Sequence, residues 1–264
     1  MRITFLGSGG AFTDHRVNYQ NNAVVETDEG LVLIDCGHTA VQSLKELGVA
    51  AGDVRAVLFT HLHGDHASPE QLIWERFYGG AAGPRFLQTE MFAPADLLDP
   101  LARSLEPFVG MYSDRDGVVR DTGVADLLQL RRGARATIGG LSVEWFRVPH
   151  VEGAGLSKPA YGLALDDGHT RVLWSGDTTF SPRWLHEAAE DERVAKIFHE
   201  CMFARPFHGT VHTHFDELRT LPEALQQRVT LMHHTAVPDG VSLGAIAGAA
   251  DRHEVFELSS GAAG

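Results

Sequence analysis

The chain has 264 residues and a net charge of −13 with histidine neutral, and no basic run exceeds Arg131-Arg132. Phosphate backbones are gripped by clustered lysine and arginine, so this balance excludes a general nucleic-acid binder. Composition is that of a globular chain, 44% hydrophobic and 22% charged, and no apolar run reaches membrane length. Cys36 and Cys201 lack finger spacing and make no disulfide framework. They read as small buried hydrophobes of a reducing compartment, and with no signal-peptide pattern at the N-terminus the expected location is cytoplasmic. The 15 histidines are the unusual feature. In an acidic chain such a surplus points to metal.

In chain order, Ile3 to Leu6 is a short strand running into Gly7-Ser8-Gly9-Gly10. The glycine spacing is not that of a dinucleotide loop, and no helix pattern follows. Residues 23–26 and 31–34 flank Asp28-Glu29-Gly30 as a hairpin. The second strand ends at Asp35-Cys36-Gly37, where Asp35 either touches the site or braces the following turn, the second being the expected role. Val41, Leu44 and Leu47 predict a helix closing at Gly48. Val54 to Thr60 is a strand feeding Thr60-His61-Leu62-His63-Gly64-Asp65-His66. Ser68 with Gln71 fits a capping box, with Pro69 at the first helical position of a helix ending near Tyr78. The glycine-rich run from Gly79 to Pro84 breaks it, and Arg85 to Thr89 follows as a strand. Over 90–126, Pro94, Pro100 and Pro107 predict short helices with an apolar face of Leu97, Leu98, Leu101 and Leu105. This reads as a helical insert, either a lid or dimer contact near the site or surface helices with no role.

Strands return at 127–130, 134–138 and 141–148, the last ending at Pro149-His150. Residues 161–165 and 171–174 form a hairpin around Asp166 to Thr170, ending at Ser175-Gly176-Asp177-Thr178. A helix runs from Ser181 to Ala189, a strand at 196–198 ends at His199-Glu200, and a helix over 216–227 is interrupted at Pro222. The strand 229–232 ends at His233-His234. A helix-like run over 243–250 and a strand over 255–258 close the chain. Each half holds a run of strands followed by strand–helix units. This predicts one domain over 1–264, built as a four-layer α/β sandwich of two facing sheets with helices outside.

His61, His63, Asp65, His66, His150, Asp177 and His233 all fall at predicted strand ends. One catalytic zinc takes about three protein ligands and a water. Seven ligands suit two divalent ions bridged by a carboxylate, an arrangement that generates hydroxide near neutral pH and performs hydrolysis. His233 and His234 are adjacent, so only one can point into the site from a strand. The strand 229–232 leads directly into His233, which favours it. His15, His38, His169, His186, His208 and His253 read as surface or structural, and Trp74, Phe77 and Tyr78 as core.

The His-x-His-x-Asp-His signature stands complete in His61, His63, Asp65 and His66, followed in order by His150, Asp177 and His233. In this the chain resembles the metallo-β-lactamase superfamily over nearly its whole length. It is most similar to the ribonuclease Z and phosphodiesterase branch. The residues that carry this are Phe5-Leu6-Gly7-Ser8-Gly9-Gly10, Leu33-Ile34-Asp35-Cys36-Gly37, Tyr161-Gly162, Ser175-Gly176-Asp177-Thr178, His199-Glu200 and Val211-His212-Thr213. The resemblance implies the four-layer αβ/βα fold. It implies one metal on His61, His63, His150 and Asp177 and another on Asp65, His66, Asp177 and His233. Zinc is the expected ion, with manganese or iron as alternatives. It places Asp65, Glu200 and His212 in catalysis, His212 protonating the leaving oxygen and Glu200 orienting it. His214, two residues on, is the alternative acid.

The long basic arm by which ribonuclease Z grips tRNA has no counterpart here, because only Asp166 to Thr170 separates its flanking strands. The expected activity is therefore hydrolysis of a small phosphodiester, such as a cyclic nucleotide, through a metal-bridging hydroxide. No nucleic-acid or membrane partner is expected, and a homodimer is left open. The alternatives are a lactone or thioester hydrolase on the same fold and a non-catalytic metal- or ligand-binding sensor.

Overall fold

The apolar periodicities of the two halves pair off into two seven-stranded sheets. The structure is a computed structural model that describes residues 1–79, 86–109, 111–114, 119–153, 156–204, 210–234 and 236–259. The expected break over Gly80 to Pro84, the start of the strand expected at Arg85, and His208 lie outside the described residues. The first half runs β1 (Arg2–Gly7), β2 (Asn22–Thr27), β3 (Gly30–Ile34), α1 (Ala40–Glu46), β4 (Val54–Leu58), α2 (Glu70–Tyr78) and β5 (Thr89–Ala93). It continues with α3 (Ala95–Val109), the hairpin β6 (Met111–Asp114) and β7 (Val119–Thr122), α4 (Val124–Leu127) and β8 (Leu128–Arg132). The second half runs β9 (Arg135–Ile138), β10 (Leu141–Arg147), the short pair β11 (Glu152–Gly153) and β12 (Leu156–Ser157), β13 (Tyr161–Asp166), β14 (Arg171–Trp174) and α5 (Pro182–Glu190). Then come β15 (Val194–Glu200), α6 (Phe215–Leu218), α7 (Glu223–Gln226), β16 (Val229–Met232), β17 (Gly248–Ala249) and β18 (Val255–Glu257).

One sheet has the order β18-β1-β2-β3-β4-β5-β8 and the other β17-β16-β15-β14-β13-β10-β9. In each, the hairpin-linked strands pair antiparallel and the strands joined through helices pair parallel. Strand alternation sorts side chains between two cores. Val32, Ile34, Ala56 and Leu58 face the second sheet, meeting Trp145, Leu163, Trp174 and Phe198. Leu33 and Val57 face the other way, under α1, α2 and α3 with Leu44, Leu72 and Leu98. A third core packs Leu185, Leu218 and Leu225 from α5, α6 and α7 on Ile197 and Leu231. The result is helices, sheet, sheet, helices, the expected four-layer α/β sandwich. Both faces of the parallel strands are covered, which is why they read as continuous apolar runs.

Four local expectations are corrected. The strand expected over Arg85 to Thr89 lies later, as β5 from Thr89, because Met91 and Ala93 carry the buried face. Pro100 and Pro107 do not cut the 90–126 segment into short helices but lie inside α3. Its stripe of Leu97, Leu98, Leu101 and Leu105, spaced by three and four, is buried in the first core, which offsets the donor each proline removes. Ser68 makes no cap on α2; its hydroxyl donates to the Gly64 carbonyl inside the histidine-rich turn. The run over 243–250 is not a helix. Gly244 takes φ of 65°, and the chain leaves it to form the edge strand β17 against β16.

The centre of the inter-sheet core is aromatic. Phe5 stacks on Trp174 at 5.3 Å between ring centroids and meets Phe198 edge-on at 5.1 Å. All three are fully buried. Phe5→Ala should therefore cost about 3–5 kcal/mol of stability in a urea titration. A loss below about 1 kcal/mol would contradict this packing.

Candidate metal centre

The parallel strands of both sheets end on one rim, where an open α/β sheet presents its ligands. From the first sheet, β3 leads into Asp35 and β4 into the turn 60–66. From the second, β10 leads into His150, β14 into Asp177, β15 into Glu200 and β16 into His233. The histidine-rich turn is held by its own backbone, with the amides of His66 and Ala67 donating to the His63 carbonyl at 3.0 and 2.8 Å. The segment after β3 clamps it: Cys36 N donates to His66 O, and Ser68 N to Cys36 O, each at 2.7 Å. A Cβ on Gly37 would lie 1.9 Å from the Asp65 carbonyl oxygen, so only glycine allows this approach. Asn22 ties both pieces, accepting from Gly37 N and donating to Asp65 O.

All seven expected ligands come together. His61, His63, His150 and Asp177 form one group whose ligand atoms all lie within 4.8 Å of one another, and Asp65, His66, Asp177 and His233 form a second. Asp177 is shared. Its Oδ2 lies 3.6 Å from His61 Nε2 and 3.3 Å from His233 Nε2, and its Oδ1 lies 3.3 Å from His66 Nε2. Asp65 Oδ2 lies 3.2 Å from both His66 Nε2 and His233 Nε2. His63 Nδ1 lies 3.1 Å from His61 Nε2 and 3.3 Å from His150 Nε2. His233, at φ of 52°, aims into this cluster, whereas His234 Nε2 donates to the Ala250 carbonyl. The strand-based preference for His233 thus agrees with the placement.

His212 and Glu200 flank the second group. His212 Nδ1 lies 3.1 Å from Glu200 Oε2 and 3.9 Å from Asp177 Oδ2. Glu200 is fully buried and accepts from Thr178 N at 2.9 Å and Thr213 N at 3.2 Å. His214 is engaged elsewhere: its Nδ1 accepts from Asp216 N as the N-cap of α6.

Asp35 touches the site, the less favoured of its two expected roles. It braces not the turn that follows it but the one at 60–66, accepting from Thr60 N at 2.8 Å and from the Thr60 hydroxyl at 2.7 Å. It also accepts from His66 Nδ1 at 2.8 Å, which leaves His66 Nε2 aimed at the carboxylates. His150 Nδ1 is likewise taken by the Val211 carbonyl at 2.9 Å. Fixing one ring nitrogen sets the tautomer of a ligand histidine. Asp35 sits at φ of 57°, a strained position for anything but glycine or a small polar residue, and that strain leaves no mark on hydropathy. His38, expected as surface or structural, lines the cavity over the site together with Phe12 and Phe203.

The charges are strongly coupled. Burial alone would push the Asp177 carboxyl up, but the imidazoles of His233, His66 and His61 outweigh it and hold it well below the usual carboxylate range. Burial opposes charge on His66 too, yet Asp177, Asp65 and Asp35 raise it well above an ordinary histidine. Burial dominates at His61, pushed well below the usual range, and at His150, lowered to about 4. Those two are neutral nitrogen donors at pH 7. At His212 burial is outweighed by the Glu200 hydrogen bond and charge, which raise it to about 9.

The residues fit two divalent cations. His66 Nε2 and Asp177 Oδ1 are buried, and neither makes a hydrogen bond. Buried polar atoms are rarely orphaned, and here they sit in a cluster of imidazole nitrogens and carboxylate oxygens that suits zinc-like ions. The cavity above has a volume of about 670 Å3 and is lined by His63, Asp65, Asp177, Glu200, His212 and His233 among others. A larger cavity of about 890 Å3, lined by Arg55, Phe77, Glu90 and Gln129 among others, opens at the opposite ends of β4 and β5 and touches none of these groups.

Comparison with known proteins agrees with this geometry. The profile of the family described as Anti-Pycsar protein Apyc1 matches residues 1–250. An Anti-Pycsar protein Apyc1 from Paenibacillus sp. (strain J14) is 33% identical over 264 residues, covering 98% of this chain and 99% of the relative. Among solved structures, the metallo-β-lactamase fold protein YhfI from Bacillus subtilis superposes with a TM-score of 0.73 at 16% identity, over 97% of this chain and 98% of that one. The short form of human tRNase Z does so at 0.69 and 18% identity, over 97% and 99%. The fold is therefore the metallo-β-lactamase fold.

The contact of Asp35 with His66 generates a test. Asp35→Asn keeps the shape and tolerates the left-handed backbone, but removes the charge that accepts from His66. Affinity for the ion on the Asp65–His66–Asp177–His233 group should fall about 10–100-fold in a chelator competition. Unchanged affinity of both ions would show that Asp35 only braces the turn.

Proposed function

The chain belongs to the Anti-Pycsar protein Apyc1 family, and from that premise we propose that this metal-dependent hydrolase cleaves a small phosphodiester, a 3′,5′-cyclic nucleotide. In this reading His61, His63, His150 and Asp177 hold one divalent ion and Asp65, His66, Asp177 and His233 the other, both zinc. Bound there, the ions supply positive charge to the phosphoryl oxygens and acidify water at neutral pH.

The chain's own residues do the rest. The observation that carries the reading is the His212–Glu200 pair beside the shared carboxylate of Asp177. Glu200, held by two backbone amides, accepts a hydrogen bond from His212 Nδ1–H and so fixes the ring. His212 lines the cavity, and in this reading its other ring nitrogen donates there, since Glu200 keeps the imidazole charged at neutral pH. A cyclic phosphodiester opens by losing an alkoxide, a poor leaving group, so a proton delivered from His212 lowers the barrier. Asp65, on the rim of the same cavity, orients the attacking water in this reading while also serving as ligand.

The tight turn between β13 and β14, where Asp167 accepts from the amides of His169 and Thr170, supports a small substrate over tRNA. Among the described side chains, the lactonase alternative gains nothing from the tyrosines. The hydroxyl of Tyr19 is taken by Glu46, that of Tyr161 by Asp96, and that of Tyr78 lies against Thr122.

Turnover of a panel of 3′,5′-cyclic nucleotides, bis(p-nitrophenyl) phosphate and a lactone tests the substrate class. Cyclic nucleotides should be hydrolysed and the lactone not; hydrolysis of the lactone alone would refute the reading. His212→Ala should keep its metals and slow cyclic-nucleotide hydrolysis about 10²–10⁴-fold. On bis(p-nitrophenyl) phosphate, whose leaving group needs no proton, the loss should be far smaller. Equal losses on both would rule out His212 as the acid.

A further inference from the structure

We infer that Phe12 is the platform on which the nucleobase of the substrate stacks, and so a specificity-determining residue of this site. The inference rests on the cyclic-nucleotide reading above.

Phe12 is 100% exposed, the most exposed large apolar side chain among the described residues. A single exposed apolar residue on a loose loop would need no explanation. This loop is not loose. Gly9 N donates to Tyr19 O at 2.8 Å, closing the base of the segment between β1 and β2. Thr13 N donates to Gly10 O at 3.1 Å, a tight turn whose two central residues are Ala11 and Phe12. Beyond the turn, Val17 N and Asn18 N both donate to Asp14 O. At the other side, His234 N donates to Ser8 O at 2.9 Å, which ties the loop to the end of β16. A bulky ring is thus presented to water by a hydrogen-bonded scaffold.

The ring is presented at the metal centre. A Cβ on Gly10 would lie 3.5 Å from His233 Cε1, so the turn rests on a candidate ligand. Phe12 is two residues further on, within about 7 Å of Gly10 along the chain. It lines the same 670 Å3 cavity as Asp65, Asp177, His212 and His233, and Phe203 lines that cavity too. In a 3′,5′-cyclic nucleotide the phosphate and the base are separated by one ribose. With the phosphate at the ligand cluster, the base reaches the rim, where Phe12 is the fully exposed aromatic ring, Phe203 being half-buried. Aromatic side chains bind nucleobases through their faces, and the gain is largest where the ring is already held in place.

The occupant is therefore the base of the substrate, and a second copy of this chain covering Phe12 is the competing outcome. The test compares wild type with Phe12→Ala and Phe12→Trp on two substrates, a 3′,5′-cyclic nucleotide and the base-free methyl riboside 3′,5′-cyclic phosphate. Fluorescence quenching of a 2-aminopurine cyclic nucleotide on binding is read in parallel. Phe12→Ala should lose about tenfold more in kcat/KM on the nucleotide than on the base-free ester, chiefly through KM, and should abolish the quenching. Phe12→Trp should restore both.

Equal losses on the two substrates would make Phe12 a structural part of the loop and overturn the inference. So would a fall in sedimented mass for Phe12→Ala with no change in the substrate ratio, which assigns the ring to a chain–chain contact. If wild type hydrolyses no cyclic nucleotide, the substrate reading fails and the inference falls with it. If wild type does so and Phe12→Ala shows no selective loss, only the inference falls.

Discussion

Everything at the rim is arranged around the Asp177 carboxylate. A buried carboxylate is costly unless it is paired and hydrogen-bonded. Asp177 meets His61 and His66 from the first sheet and His233 from the second, each within 3.6 Å. Those imidazoles more than offset its burial and keep it ionised. The carboxylate in turn raises His66, although burial works against that charge. Each of the two groups that share Asp177 also draws a ligand from the 60–66 turn, so neither can form from the second half of the chain alone.

The two-sheet fold is what makes that meeting possible. The aromatic core between Phe5, Trp174 and Phe198 fixes the separation of the sheets, and so the reach of side chains across the rim. Rigidity there also maintains two strained positions, Asp35 and His233, each at a φ near +55°. Such positions cost about 1–3 kcal/mol each and persist only where the surroundings over-determine them. At Asp35 the surroundings are the Thr60 amide and hydroxyl and His66. At His233 they are Asp65, Asp177 and the Gly10 turn lying against the ring.

Much of this was legible in the sequence, for physical reasons. Strand ends follow from apolar runs that stop abruptly at polar residues, and all seven candidate ligands sit at such ends or on the turn that follows one. The strand 229–232 leads into His233, and it is His233 rather than His234 that lies against Asp65 and Asp177. What stayed hidden depends on backbone shape or distant packing. The orienting role of Asp35 on His66 joins positions 31 residues apart through a left-handed backbone. The prolines of α3 looked like breaks because propensity was weighed without the leucine stripe that the first core buries. Ser68 had the spacing of a cap but was drawn to the Gly64 carbonyl by the fold of the turn. Phe12 carries no signal in hydropathy, since its significance lies in being uncovered beside the ligand cluster.

In the proposed arrangement one carboxylate, that of Asp177, joins two metal positions. Elemental analysis of purified wild type and Asp177→Ala tests it most directly, with near-ultraviolet circular dichroism to establish that the variant is folded. Two divalent ions per wild-type chain and loss of both in the folded variant are expected, since the two ligand groups share Asp177. A folded Asp177→Ala chain that still holds two ions would contradict it.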